Sequence, residues 1–194
     1  IQNTPLNLLL MAALLIVTAS DKNKFFWLFV AITALVGFVA EIIGVHSSIL
    51  FGDYFYGSSM GYKLYDVPLL IAVQWFVMMY CSAVVMHSLH QWFNKKFNAD
   101  GMEISSSMLL LSFVIDGALI AVLFDYAMEP VAIKLDFWHW KHQQIPFYNY
   151  SCWFLISVAL LYVFHLLKVN KQNVFAVHLF IIQTLFFLTL RIYL

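Results

Sequence analysis

The chain has 194 residues, of which 63% are hydrophobic and only 10% charged, and its mean hydropathy is +0.86. Soluble domains carry about 45–50% apolar and about 25% charged residues, so this composition fits neither a soluble globular domain nor a disordered chain. Ten basic residues balance ten acidic ones, which removes the basic footprint of a nucleic-acid binder and leaves a polytopic membrane protein.

A bilayer-spanning helix needs about 20 mostly apolar residues. In chain order, the first apolar stretch runs from Leu6 to Ala19 and is short. It lacks the basic flank of a signal peptide and reads as a helix whose beginning is missing. The second runs from Phe25 to Val45, and the third from Val67 to Leu89, with Pro68 in its first turn and Asp66 as its cap. The fourth covers Ser106 to Met128. Ser105 to Ser107 offer caps, and Glu129-Pro130 ends it, because a residue before proline disfavours α geometry. The fifth runs from Asn149 to Leu167 after Pro146, with Asn149 and Ser151 as caps, and the sixth from Val174 to Tyr193. The expected fold class is therefore all-α: one transmembrane domain over residues 1–194, a bundle of about six membrane helices. No internal repeat supports an inverted-repeat transporter.

The connections are unequal. Asp21–Lys24, Asn94–Glu103 and Lys168–Asn173 are short, whereas His46–Tyr65 and Glu129–Tyr148 are long. Alternating helices place the two long loops on one face. The short loops carry Lys22, Lys24, Lys95, Lys96, Lys168 and Lys171, against Lys63, Lys134 and Lys141 in the long ones, or four residues with Arg191. The positive-inside rule then puts the short loops in the cytoplasm. Long structureless loops are uncommon and often functional. One holds Tyr54, Tyr56, Tyr62 and Tyr65, the other Trp138, Trp140, Phe147 and Tyr148. Two readings fit: an aromatic belt at the membrane interface, or a lid over a site. Ile133, Phe137 and Trp140 have helical spacing, which predicts a short interfacial helix.

Intramembrane carboxylates are costly and are functional candidates by default. Glu41 and Asp125 each lie about one turn from the long-loop end of a helix. Asp116 lies about 13 Å deeper than Asp125 along the same helix. Asp125 and Glu129 share a face at i, i+4. Gly37 and Gly44 share a face with Glu41, where small residues admit a close neighbour. The same acids would serve equally as hydrogen-bonded glue between helices. His87, His90, His165 and His178 read as interface or packing residues. The two cysteines, Cys81 and Cys152, lie in apolar runs and form no metal motif or disulfide framework. The close histidine pairs are too few for a di-iron site. DDxxD, P-loop, GxGxxG and GxSxG motifs are absent, and nothing in the spacing selects a metal. What remains is proton chemistry on an apolar substrate: a sheltered carboxylic acid can donate a proton, and aromatic faces can stabilise the resulting carbocation.

The string EIIGVHSSILFGDYFYG, with a later glycine and VP before Trp75, resembles the first signature of the CruF-like carotenoid 1,2-hydratase family. That family of bacterial and archaeal carotenoid-biosynthesis membrane proteins includes the bisanhydrobacterioruberin hydratases. DYAMEPVAIKLDFWHW, followed by IP, Asn149 and Trp153, resembles the second signature, and the likeness covers roughly residues 37–155. It implies addition of water to the terminal C1–C2 double bond of a linear carotenoid ψ-end, giving a tertiary alcohol with no organic cofactor. The implied partners are a linear or monocyclic carotenoid, water and the lipid of a bacterial or archaeal cytoplasmic membrane.

Motif matching adds Gly52 and Pro130 to the residues above. The chain departs from the family pattern at Glu129 (Asp expected), at Asp136 (Gly expected) and in the glycine-poor QQIPFYNYSCW segment. Those changes bear on end-group preference more than on reaction class. The expected catalytic set is Asp116, Asp125, Glu41 and Glu129, with Asp125 or Asp116 as the acid. The expected substrate-binding set is Tyr54, Tyr56, Trp75, Trp138, Trp140, Asn149 and Trp153. The same acids would also suit a non-enzymatic transporter or carotenoid-binding protein, or an end-group isomerase or cyclase.

Overall fold

The computed structural model describes residues 3–97 and 105–194. Its helices are α1 (Thr4–Thr18), α2 (Lys24–Ser47), α3 (Leu69–Phe97), α4 (Ser106–Lys134), α5 (Phe147–Leu166) and α6 (Val174–Tyr193). Five of them are long and apolar enough to cross a membrane. The 15-residue α1 extends only about 22 Å, short of a hydrocarbon core of about 30 Å. The protein is thus an all-α integral membrane bundle. Central α3 is the most buried helix and packs against each of the other five. The outer helices turn side chains such as Leu35, Leu123, Leu155 and Ile182 outward. Apolar exposure on that scale belongs against lipid.

Local chemistry explains the helix starts. Asn23 accepts from the backbone N–H of Phe25 and Phe26 at α2, Ser105 from Met108 at α4, and Asn173 from Ala176 at α6. The expected caps elsewhere are corrected. Helix α5 begins at Phe147 after Pro146, so Asn149 lies inside the first turn with its amide free for other partners. The Ser151 hydroxyl donates back to the Phe147 carbonyl at 3.5 Å. Asp66 adopts a left-handed φ of 61° and faces His46 at 3.5 Å instead of capping α3. Pro68 lies just ahead of α3, in the two-residue strand β3 (Val67–Pro68), which pairs with β2 (Lys63–Leu64). The third connection lies outside the described residues from 98 to 104, and α3 occupies its first part.

The largest correction concerns Pro130. Helix α4 does not stop at Glu129 but runs on to Lys134. A proline inside a helix leaves the carbonyl four residues earlier without its N–H partner. Here that carbonyl belongs to Tyr126, and the Arg191 guanidinium of α6 reaches it at 3.5 Å while lying 4.9 Å over the Tyr126 ring. A neighbouring helix thus supplies the donor that proline removes.

The two long loops meet on one face, as helix alternation requires. Their middles are not structureless, and the second holds no interfacial helix beyond the end of α4. Strand β1 (Tyr54–Tyr56) pairs antiparallel with β4 (Trp138–Trp140), in the register Tyr54 with Trp140, Phe55 with His139 and Tyr56 with Trp138. The period-two alternation of a strand, not helical spacing, sets where Trp138 and Trp140 point. Tyr54, Tyr56 and both tryptophans face the bundle, whereas Phe55 is exposed.

This strap is anchored from outside. Asp136 accepts from the Ser58 backbone and hydroxyl and contacts His139 at 2.7 Å. Those bonds, His139 first, hold its carboxyl well below the usual carboxylate range. A depressed folded-state pKa stabilises above the unfolded value, near 3.9, and that stabilisation is lost as pH falls through the folded one. The strap is therefore expected to loosen under acidification below about pH 4, seen as a red shift and quenching of Trp138 and Trp140 fluorescence. Asp136→Asn should show the loosened signal already at neutral pH. An acid titration that leaves both proteins unchanged would remove Asp136 as the anchor.

Candidate active site

The site begins with small residues on α2. A Cβ on Gly37 would overlap the Trp75 side chain, and one on Gly44 would lie 2.7 Å from the Tyr54 hydroxyl. The glycine face that the sequence marked beside Glu41 is thus filled by an indole of α3 and a phenol of the strap. Trp75 stacks on Trp153 of α5, with centroids 4.1 Å apart and planes at 9°.

Two glutamates beneath the strap each take three donors. Glu41 accepts from the hydroxyls of Tyr54 (2.5 Å) and Tyr56 (2.8 Å) and from the Trp75 indole (3.1 Å). Burial, with Glu41 alongside, pushes both tyrosine hydroxyls well up, so they serve as donors. Glu129 accepts from the Trp138 indole at 2.9 Å, the Trp140 indole at 3.0 Å and the Asn149 amide at 3.2 Å. All four inward side chains of the strap therefore spend their donors on two carboxyl groups of the bundle.

Asp125 differs. It is 1% exposed and takes a single donor, the Asn149 amide, at 2.9 Å on Oδ2. Its Oδ1 has no hydrogen-bond partner in the protein. A buried polar atom left unpaired costs about 1–3 kcal/mol, and one helical turn away stands Glu129 with its full set of donors. A carboxylate accepts only, whereas a carboxylic acid also carries an O–H to give away. The pair thus has one position furnished for a carboxylate and one that is not.

These groups line one cavity with an interior volume of about 100 Å³. Its polar end holds Glu41, Asp125, Glu129 and Asn149. Its aromatic wall is Tyr54, Tyr56, Trp75, Trp138, Trp140 and Trp153, joined by Phe51, Phe124 and Phe137. Leu8 of α1 and Phe187 of α6 also line it. Among the described residues, no group of three or more His, Cys, Asp or Glu side chains is arranged to hold a metal ion.

A family model described as carotenoid biosynthesis protein matches residues 3–193. The chain belongs to the carotenoid biosynthesis protein family. No curated protein and no solved structure matches it.

Three of the four acids marked in this family member converge on the cavity, and so do all seven residues marked for substrate. Asp116 does not. With α4 spanning Ser106–Lys134, Asp116 lies in the half of the helix nearer its start. It accepts from Ser112, whose hydroxyl meets His90 Nε2 at 2.9 Å. Gln74, like Gln183, is a polar residue of the cavity lining that sequence reasoning passed over. Its available signal was an amide in an apolar helix, directly before Trp75.

Proposed function

We propose that the protein is a carotenoid 1,2-hydratase, adding water across the terminal C1–C2 double bond of a linear ψ-end. The observation that carries this reading is Asp125: a buried carboxyl with one donor and an open oxygen, on the wall of an aromatic cavity. Protonated, it adds no second negative charge beside Glu129, and like charges in one site disfavour double ionisation. Its proton passes to C2, the π bond breaks, and a tertiary cation forms at C1. The rings around the cavity stabilise that cation by cation–π attraction, with the stacked Trp75–Trp153 pair on the wall. Water attacks C1, and the proton it sheds returns to the Asp125 carboxylate. Glu41 and Glu129 act as anchors: they hold the aromatic strap closed over the cation and keep bulk water out. Acid and water suffice for this addition, so no organic cofactor enters the scheme.

Expression in a host that makes lycopene or γ-carotene tests the reading. The expected pigment is more polar and heavier by one water per ψ-end, with its polyene absorption unchanged. Pigment of unchanged mass, with folded protein in the membrane, would refute it. An isomerised or cyclised end group without added oxygen would instead assign the same protonation to an isomerase or cyclase.

A further inference from the structure

Among the described residues, three buried side-chain polar atoms have no hydrogen-bond partner in the protein: Gln74 Nε2, Asp125 Oδ1 and Ser157 Oγ. The first two belong to side chains lining the same cavity, and Ser157 does not line it. They come from different helices, α3 and α4, and they are chemically complementary. One is an amide N–H donor. The other is a carboxyl oxygen, able to accept once its proton has gone. The glutamates, the inward tyrosines and tryptophans and Asn149 are bound to one another, and the Gln183 amide donates to Met11 Sδ at 3.2 Å. Gln74 and Asp125 therefore keep unused hydrogen-bonding capacity on the lining of one cavity. A buried water makes two to four bonds to groups left over in this way.

We propose that Gln74 is the positioning residue for the attacking water, holding it by its oxygen next to Asp125. This rests on the hydratase reading and extends it. Asp125 gives its proton to C2, so the C1=C2 π bond is lost and C2–H is gained. The water oxygen, held by the Gln74 amide, forms the C1–O bond. The oxonium then releases one proton to Asp125 Oδ1. The sum is alkene plus water giving alcohol, with no redox change and the acid restored.

A cation denied its water has another exit: it loses a proton from C2 and returns to alkene. The test runs the protein in lipid membranes with its carotenoid in D2O. Two readings are taken, the alcohol formed and the deuterium at C2 of recovered substrate. Gln74→Leu and Gln74→Met should lower alcohol formation by about a hundredfold, the scale of a misplaced reactant. Deuterium at C2 of recovered substrate should persist or rise. Parallel loss of both readings, or failure of both variants to fold, would make Gln74 structural and overturn the proposal. Unchanged hydration would overturn it as well. A wild-type protein that neither hydrates nor exchanges would refute the hydratase reading itself, a result distinct from these.

Discussion

Asp125→Asn should abolish both hydration and exchange of deuterium into the substrate while leaving the protein folded. Loss of a general acid typically costs about 10²–10⁴-fold, and here the same group also receives the final proton. The substitution is nearly isosteric. Its carbonyl can still accept from Asn149, which reaches Oδ2 at 2.9 Å, and its amide takes the place of the unpaired Oδ1. Thermal stability in detergent should therefore change little. Glu129→Gln should behave in the opposite way. It places an amide among three donors, those of Trp138, Trp140 and Asn149, so at least one of them loses its acceptor. The strap should loosen, with tryptophan fluorescence shifted to the red. Activity in Asp125→Asn near the wild-type level would remove Asp125 as the acid. A Glu129→Gln protein with intact fluorescence and no activity would transfer that role to Glu129.

Gly37→Ala is expected to be strongly damaging. In an open helix the change would stabilise by about 0.8–1.0 kcal/mol. Here the added carbon runs into the Trp75 side chain. Trp75 has nowhere to move. It is stacked 4.1 Å from Trp153 and bound to Glu41 at 3.1 Å. Overpacking of this kind costs about 1–3 kcal/mol, and the displacement passes to the cavity wall. The melting temperature in detergent should fall, the near-ultraviolet dichroism of the stacked indoles should collapse, and product should drop more than the stability loss alone requires. A raised melting temperature would show that the α2–α3 contact is looser than the packing implies.

The helices were legible because about 20 apolar residues in a row have few other uses. Shared-face placement of the long loops followed from alternation alone, and motif resemblance picked out the aromatic residues that line the cavity. What escaped depended on partners far away in the chain. Continuation of α4 past Pro130 is met by Arg191, 65 residues beyond the Tyr126 carbonyl it reaches. Pairing of Tyr54–Tyr56 with Trp138–Trp140 joins segments more than 80 residues apart, and local spacing there favoured a helix. Asp116 shares a helix with Asp125 and Glu129 but bonds to Ser112 and does not line the cavity. Gln74 carried no motif at all; only the absence of a partner inside a cavity marks it.

The pairing of β1 with β4 also makes the cover digital. Side chains alternate with period two, so sliding either arm by one residue would turn its inward rings outward together. Backbone bonds bracket the pair at both ends, from Gly57 to Phe137 and from Lys141 to Asp53, and leave no intermediate setting. The roof over the cavity is thus either fully latched, with four ring donors seated on two glutamates, or unlatched with none. On the proposed hydratase reading, entry and exit of the carotenoid would then be a single cooperative event.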